Sequence, residues 1–338
     1  MIGAEDTATG AAMRAVLCGR YGPPEVLECR RIAKPVPKDK EILIRVRAAT
    51  VTAGDCELRG FKFPAWLWLP IRLAFGVTRP RQPVLGLEVS GDIVSVGSRV
   101  QKFSAGDRVF GSTSFRLGAH ADYVCLPATA PLAKIPAGLD HAQAAGIPTG
   151  GLNGLHFVRK AGIRAGERVL VNGAGGSIGM FTVQLAKLAG AEVTGVDRGD
   201  KLAMLRAIGA DYVIDYQRQD FAAQGERYDV IIDLVGTRSL DAEVGALTAQ
   251  GRLFLGNPRL LQMLRGAWIS RRNGKRVLSS MAGERVEDLE YIADLVAAGT
   301  IEVVIDRTYP LKQMVAAHHY VEAGHKKGVV GISFAQDD

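Results

Sequence analysis

Short apolar stretches with β-branched residues, punctuated by Gly and Pro, recur at short spacing in the first third of the chain, the pattern of short strands. Ala15–Leu17, Glu41–Ala49, Glu88–Val96 and Tyr123–Leu126 read this way. The stretch GLEVSGDIVSVGSRVQKFSAGDRVFG sets Gly86, Gly91, Gly97, Gly106 and Gly111 among β-branched residues. Short strands with repeated turn chemistry predict a barrel or sandwich over residues 13–135 rather than βαβ units. The texture changes near residue 140. AQAAGIPTGGLNGLHFVRKAG is Ala-rich and helix-like after Pro148, Arg168–Val171 is a short apolar strand, and MFTVQLAKLAG is amphipathic. AEVTGVD (strand), KLAMLRAIGA (helix) and the strands DYVID, YDVIIDLVG and GRLFLG follow. Strands alternating with helices predict a doubly wound parallel sheet with right-handed crossovers. The texture turns again near residue 280, with a helix over Val286–Ala298, a strand in IEVVIDRTYP, a helix over Leu311–Ala323 and a closing strand in GVVGISF. This last segment is expected to return to the first domain. The organisation read from the pattern is therefore a discontinuous β-rich domain over 13–140 and 283–338, and an α/β domain over 141–282. Residues 1–12 are small and polar, lack an apolar signal core, and read as a flexible tail.

Composition changes this picture little. The 338 residues suit roughly two domains, and 47% hydrophobic with 23% charged residues is enough for two cores. The formal charge of +7 suits an anionic ligand such as a dinucleotide. Without an aromatic-basic stacking motif, a nucleic-acid partner is not expected. The densest basic cluster, Arg271, Arg272, Lys275 and Arg276, encloses Asn273-Gly274 and reads first as a solvated turn, with a phosphate contact or a partner surface as the other readings. The four Cys form no C-x-x-C pair, so neither a disulfide framework nor a structural zinc lobe is indicated, and free thiols fit a reducing, cytoplasmic setting. No apolar run is long enough for a membrane span. The longest apolar cluster, Phe63–Phe75, is broken by Pro64 and Pro70. Three roles are open to it: a buried insertion, an apolar lid over a substrate cleft, or a membrane-surface or subunit contact.

The strongest chemical signal is VLVNGAGGSIG. Gly173, Gly176 and Gly179 give G-x-x-G-x-x-G after a predicted strand and at the start of a predicted helix. Glycine lets backbone approach a pyrophosphate, whose charge meets the free N–H groups and positive end of the helix. Ser177 and Ile178 belong to the same turn. Asp197 ends the next strand, 18 residues after Gly179, where a carboxylate can take a ribose 2′-hydroxyl. Arg198 and Lys201 beside it suit a 2′-phosphate instead, so the local residues support both NAD(H) and NADP(H).

These pieces together resemble the medium-chain dehydrogenase/reductase superfamily, in its zinc-free quinone oxidoreductase branch. The resemblance runs from about Met13 to Phe334 through AGDCELRG, PVLGLEVSGDIVSVGSRVQKFSAGDRVFG, GAHADYVCLP, VLVNGAGGSIGMFTVQLAKLAGAEVTGVD, LRAIGADYVIDY, YDVIIDLVG and VVIDRTYPL. It implies a GroES-like β-barrel domain completed by the C-terminus, an inserted Rossmann domain, and a cofactor in the cleft between them. It also implies hydride transfer from NAD(P)H to a quinone or an α,β-unsaturated carbonyl, and a homodimer. Alcohol dehydrogenases of the superfamily hold zinc with a Cys and with the His of a Gly-His-Glu motif. The first position here corresponds to Thr52 and the second motif reads Gly86-Leu87-Glu88. Leu has no lone pair and Thr is a poor zinc ligand, so no metal is expected. His120, His318 and His319 read as structural or surface residues.

The resemblance makes Thr52 the first candidate to stand by the reacting carbonyl, with Asp55 behind it in the family's D-x-x-x-R pattern. Asp55 and Arg59 read chiefly as a structural ion pair. Asn153, Phe254, Leu255 and Gly256 fall where relatives flank the nicotinamide. Lys201 and Tyr216, 15 residues apart, match the pair that NADPH-using relatives place around the 2′-phosphate. NADP(H) is therefore favoured and NAD(H) is the alternative. Relatives often have Lys at the position of Val329, so one cationic contact is expected to be missing. The alternatives are an alcohol dehydrogenase-like enzyme, and a low-turnover NADPH-binding regulatory or nucleic-acid-binding protein.

Overall fold

The computed structural model describes residues 11–334 except Asn273. The sequence patterns resolve into two large sheets and a two-stranded ribbon. β1 (Ala12–Cys18) and β2 (Leu27–Ala33) pair antiparallel as a separate two-stranded ribbon. β3 (Glu41–Thr50) is followed by two helices, α1 (Ala53–Gly60) and α2 (Ala65–Phe75), and then by β4 (Glu88–Val96), β5 (Arg108–Ser112), β6 (Tyr123–Pro127) and β7 (Leu132–Lys134). α3 (His141–Ala145) and α4 (Pro148–Ala161) lead out of this region.

β8 (Arg168–Asn172), α5 (Ser177–Leu188), β9 (Glu192–Asp197), α6 (Leu202–Ala207), β10 (Tyr212–Asp215) and β11 (Tyr228–Asp233) come next. α7 (Leu240–Gly245), β12 (Leu247–Leu255), α8 (Leu260–Arg272) and β13 (Arg276–Leu278) complete an all-parallel sheet of order β10-β9-β8-β11-β12-β13. Relabelled by chain order this is 3-2-1-4-5-6, the doubly wound order of dinucleotide folds. The middles of its central strands β8 and β11 are apolar because helices cover both faces; Val169, Leu170, Val171, Val230, Ile231 and Ile232 are fully buried.

The chain then crosses back. α9 (Val286–Ala297), β14 (Ile305–Pro310), α10 (Met314–Glu322) and β15 (Val329–Ser333) follow, and β15 joins β3 in a seven-stranded sheet of order β14-β15-β3-β4-β5-β7, with β6 also on β3. The C-terminal segment thus shares the hydrogen bonds and the core of the first β-rich region, where Val330 and Ile332 pack with Ile42, Val89 and Leu126.

Several elements differ from the pattern reading. β2 escapes it because most of its residues are exposed and polar, and β5 and β7 are short. The stretch Ile301–Pro310 is strand only from Ile305, and the helix expected from Leu311 begins with a 3-10 turn over Leu311–Gln313. Phe63–Phe75 is not a buried insertion: α2 leaves Trp68, Leu69 and Leu73 exposed. The basic cluster lies at the end of α8 and the start of β13, around Gly274 at φ 69°; Asn273 falls outside the described residues. Residues 1–10 of the expected tail also lie outside them, and Ala12 already belongs to β1.

Candidate functional site

β8 and β11 are neighbours whose following segments leave on opposite sides, so a crevice opens at their carboxyl ends. Asn172 at the end of β8 donates from Nδ2 to Asp233 Oδ1 at 2.8 Å, and Asp233 also accepts the N–H groups of Val235 and Gly236. Beyond Asn172 the three glycines do three different things. Gly173 takes φ 85°, a left-handed turn. A Cβ on Gly179 would lie 2.3 Å from the Gly173 carbonyl oxygen, so this glycine lets α5 pack on the turn. A Cβ on Gly176 would find only the Gly173 oxygen, at 3.6 Å, and would otherwise project into open space. The backbone before α5 is thereby bared to a cavity of about 920 Å³, within the range of ligand clefts.

Twelve of the expected site residues line that cavity: Thr52, Asn153, Gly173, Gly176, Ser177, Ile178, Gly179, Asp197, Arg198, Lys201, Tyr216 and Gly256. Phe254 and Leu255 do not. They are buried strand residues of β12, exposed by 0% and 2%, and only the following Gly256 reaches the cavity. Asp55 does not line it either.

At one end of the cavity, Asp197 is more a brace than an open acceptor. Its Oδ2 takes the Gly175 N–H at 2.8 Å, its Oδ1 takes the Arg198 N–H at 2.8 Å, and Lys201 Nζ stands 3.1 Å from Oδ1. Both partners of that ion pair are 6% exposed. The carboxylate and the lysine, expected to favour different cofactors, thus neutralise each other and pin the glycine turn to β9. Tyr216 stands beside them with its N–H on the Asp197 carbonyl, and Arg198 reaches His325 Nδ1 at 2.6 Å.

A cation reaches the cavity from a position other than Val329. Lys326, in the turn before β15, donates to Ser177 Oγ at 2.5 Å and to the Gly328 carbonyl at 3.0 Å. It is carried there by a backbone join: Gly328 N–H donates to the Gly175 carbonyl, and Ser177 Oγ donates to the Gly328 carbonyl. The cleft walls strip water from its ammonium and push it down to about 8. Arg238, Thr237 and Asn257 also line the cavity. No local motif marks these residues in the sequence. A bared helix start, a glycine turn and a half-buried cation together can hold a diphosphate.

At the other end, Thr52 and Asp55 form a capping box on α1. Asp55 N–H donates to Thr52 Oγ1 at 3.1 Å, while Asp55 Oδ2 accepts the Thr52 N–H at 2.9 Å and its hydroxyl at 2.7 Å. Asp55 Oδ1 accepts the Gly86 N–H at 3.1 Å. The carboxylate, 0% exposed, is occupied in shaping the wall, and the Thr52 hydroxyl gives its proton to it. The expected Asp55–Arg59 ion pair is corrected: Arg59 instead pairs with Glu322 at 2.6 Å and donates to the Gly22 carbonyl. The reason is that α1 packs on α10, which brings Glu322 to Arg59 while capping claims Asp55.

Asn153 Nδ2 donates to the Thr149 carbonyl at 2.8 Å, leaving its amide oxygen toward the cavity wall. Glu88, of the Gly-Leu-Glu motif, is buried and accepts the Thr50 hydroxyl and the Thr149 N–H; burial raises its carboxyl above the ordinary range. It ties β4 to the start of α4. Glu57, missed by the sequence reading, opens onto the cavity, and the surrounding walls raise its carboxyl. Cys56 Sγ meets His318 Nδ1 at 3.3 Å, and burial pushes the thiol up to about 12 and the imidazole down to about 2. Among the described residues no three His, Cys, Asp or Glu side chains converge as a metal site.

A doubly wound sheet whose switch-point crevice is walled by a β-rich domain is the two-domain architecture of dehydrogenases and reductases. Residues 38–137 match the alcohol dehydrogenase GroES-like domain, and residues 208–330 match the zinc-binding dehydrogenase family. The human quinone oxidoreductase is 29% identical, with 94% of this chain and 96% of that protein covered. The chloroplastic NADPH-dependent alkenal/one oxidoreductase of Arabidopsis thaliana is 28% identical over 96% of this chain and 80% of its own. The quinone oxidoreductase structure from Coxiella burnetii superposes with a TM-score of 0.84 at 27% identity, covering 96% of this chain and 100% of that one. The chain belongs to the medium-chain dehydrogenase/reductase superfamily, in its quinone oxidoreductase branch.

Proposed function

We propose that the protein transfers hydride from a reduced nicotinamide dinucleotide, NADPH in preference to NADH, to a quinone or an α,β-unsaturated carbonyl, without a metal ion. The observation that carries this reading is the open space at Gly176 in front of the α5 N-terminus, within a cavity that runs from Lys201 to Thr52. In it the diphosphate meets the N–H groups of α5 and the Lys326 ammonium. Preference for NADPH rests on Lys201, Arg198 and Tyr216 at one end, with the Asp197 charge offset by Lys201. Names of the relatives point the same way, since one is an NADPH-dependent alkenal/one oxidoreductase and others are quinone oxidoreductases.

The bound nicotinamide supplies the hydride. This chain positions the acceptor between Thr52, Asn153 and Gly256, and orientation of that kind supplies much of the barrier lowering in hydride transfer. Backbone N–H groups of the cavity wall are the donors available to negative charge developing on the acceptor oxygen. Metal independence rests on Leu87 and Thr52, which stand where zinc-dependent relatives need ligands, and on the inward pairing of Cys56 with His318. The test is oxidation of NADPH and NADH by a panel of benzoquinones, naphthoquinones and enones, before and after dialysis against a strong chelator. Turnover with NADPH that survives chelation is expected. Alcohol oxidation that requires added zinc would overturn the reading.

A further inference from the structure

Two helices carry their apolar residues outward. α8 seats on the sheet edge through Gly266 and Ile269; Ile269 is 4% exposed, and a Cβ on Gly266 would come within 2.6 Å of Val277. Its outer side presents Leu260, Leu261 and Leu264, exposed by 49%, 73% and 62%, and Trp268 at 53%. These positions form one stripe along the helix. In α2 no described side chain is buried. Arg72 folds back so that its guanidinium lies 4.0 Å from the Phe61 ring and 4.8 Å from the Trp68 ring, while Leu69 and Leu73 point out at 61% and 57% exposure. Contiguous apolar surface of this kind marks a contact.

The charge on the same stretches says with what. The chain has 35 Asp and Glu, yet none falls between Leu58 and Leu87 or between Leu253 and Gly283. Around α2 stand Arg79 and Arg81, and around α8 stand Arg259, Arg265, Arg271 and Arg276, all exposed. Leucine and tryptophan stand here among a net excess of cations, the carboxylates reaching the face being Asp241, paired with Arg265, and Glu284, bonded to Ser114, and this set matches the boundary between anionic headgroups and acyl chains. The same surface suits a second copy of itself poorly, because a two-fold contact would bring like charges together.

Both helices follow closely in the chain on residues that line the cleft. Gly54 and Glu57 line the cavity and α2 begins at Ala65; Gly256 and Asn257 line it and α8 begins at Leu260. Two further exposed apolar residues, Phe115 and Met281, lie on the chain of contacts between them. Phe75 at the end of α2 packs 5.8 Å from Phe115, which is 81% exposed, and Ser114 donates to Glu284 three residues beyond Met281, which is 91% exposed. From there the chain runs back to β13, the seat of α8.

We propose that this face docks on an anionic bilayer surface, laying α2 and α8 along the headgroup–acyl boundary with the cleft mouth toward the lipid. Neither helix crosses the bilayer, as they have 11 and 13 residues. The proposal stands independently of the nicotinamide reading, since it rests on the outer surface alone.

Flotation of the full chain with vesicles tests it. Vesicles of phosphatidylcholine containing phosphatidylglycerol should carry the protein at least about tenfold better than phosphatidylcholine alone, and raised salt should release it. Brominated acyl chains in those vesicles should quench tryptophan fluorescence. The double variants L69E/L73E and L261E/L264E change exposed positions outside the cavity. Each should lower binding by about tenfold or more while melting temperature and NADPH turnover with a water-soluble quinone stay at wild-type values. Failure of the wild-type chain to float, equal binding to neutral vesicles, or undiminished binding by both variants overturns the proposal. So does light scattering that shows a dimer split by these same substitutions, which would make the cover a second copy.

Discussion

A Gly176→Asp side chain would project into the open space before α5 and set a carboxylate where the diphosphate is proposed to lie. Loss of about 3 kcal/mol or more of NADPH binding is expected, a hundredfold or greater change in calorimetry, with the apo protein's melting temperature nearly unchanged because no neighbour is displaced. Lys201→Met should erode the preference for NADPH over NADH by about tenfold or more, since it removes a cation and leaves the Asp197 charge uncompensated; the ratio of kcat/KM values for the two cofactors reads this. Lys326 gives a pH signature. Desolvation holds its ammonium down to about 8, so the cation is present below that pH and is lost as pH rises through it. NADPH affinity should therefore fall from about pH 7 to pH 9.5 in the wild type, and the Lys326→Met variant should bind more weakly at neutral pH with a flatter profile. At this scale the glycine turn was legible because it is contiguous and its spacing has one strong physical meaning. Lys326 was not, because only the Gly328–Gly175 join, between residues far apart in the chain, sets it against Ser177.

Among the elements, α1 shows how a residue can be read in the right place and the wrong capacity. The D-x-x-x-R pattern puts Asp55 and Arg59 one turn apart, but the Thr52–Asp55 capping box and the Gly86 N–H take the carboxylate, and α10 takes the arginine. Asp55→Ala should lower stability by about 2–4 kcal/mol, by removing the cap and stranding a buried N–H, and thermal melting should register it. Asp55→Asn should lose less. A variant that melts like the wild type but has lost its kcat would instead mark Asp55 as a participant in the chemistry. Elements that bury apolar residues in a core were readable from those residues and the turns that bound them, as with β3, β4, α5 and β11. α8 and β13 were not: the helix turns its leucines outward and the strand is three residues long, so neither carries the pattern that burial imposes.

The whole molecule places a doubly wound sheet of order 3-2-1-4-5-6 against a β-rich region that the C-terminal segment completes, and their junction is the cavity. The return of that segment was legible from the late change of texture, and the joint it makes with the glycine turn was not. What the architecture brings together is the proposed diphosphate cradle at one end and, at the other, a wall of backbone, amide and capped threonine. The most direct measurement of this account is calorimetric titration of the full chain with NADPH, run beside the Gly176→Asp variant. The account predicts saturable binding of one nucleotide per chain by the wild type and none by the variant at the same concentrations. Absence of heat from the wild type with either reduced nicotinamide nucleotide, or equal binding by both proteins, would contradict it.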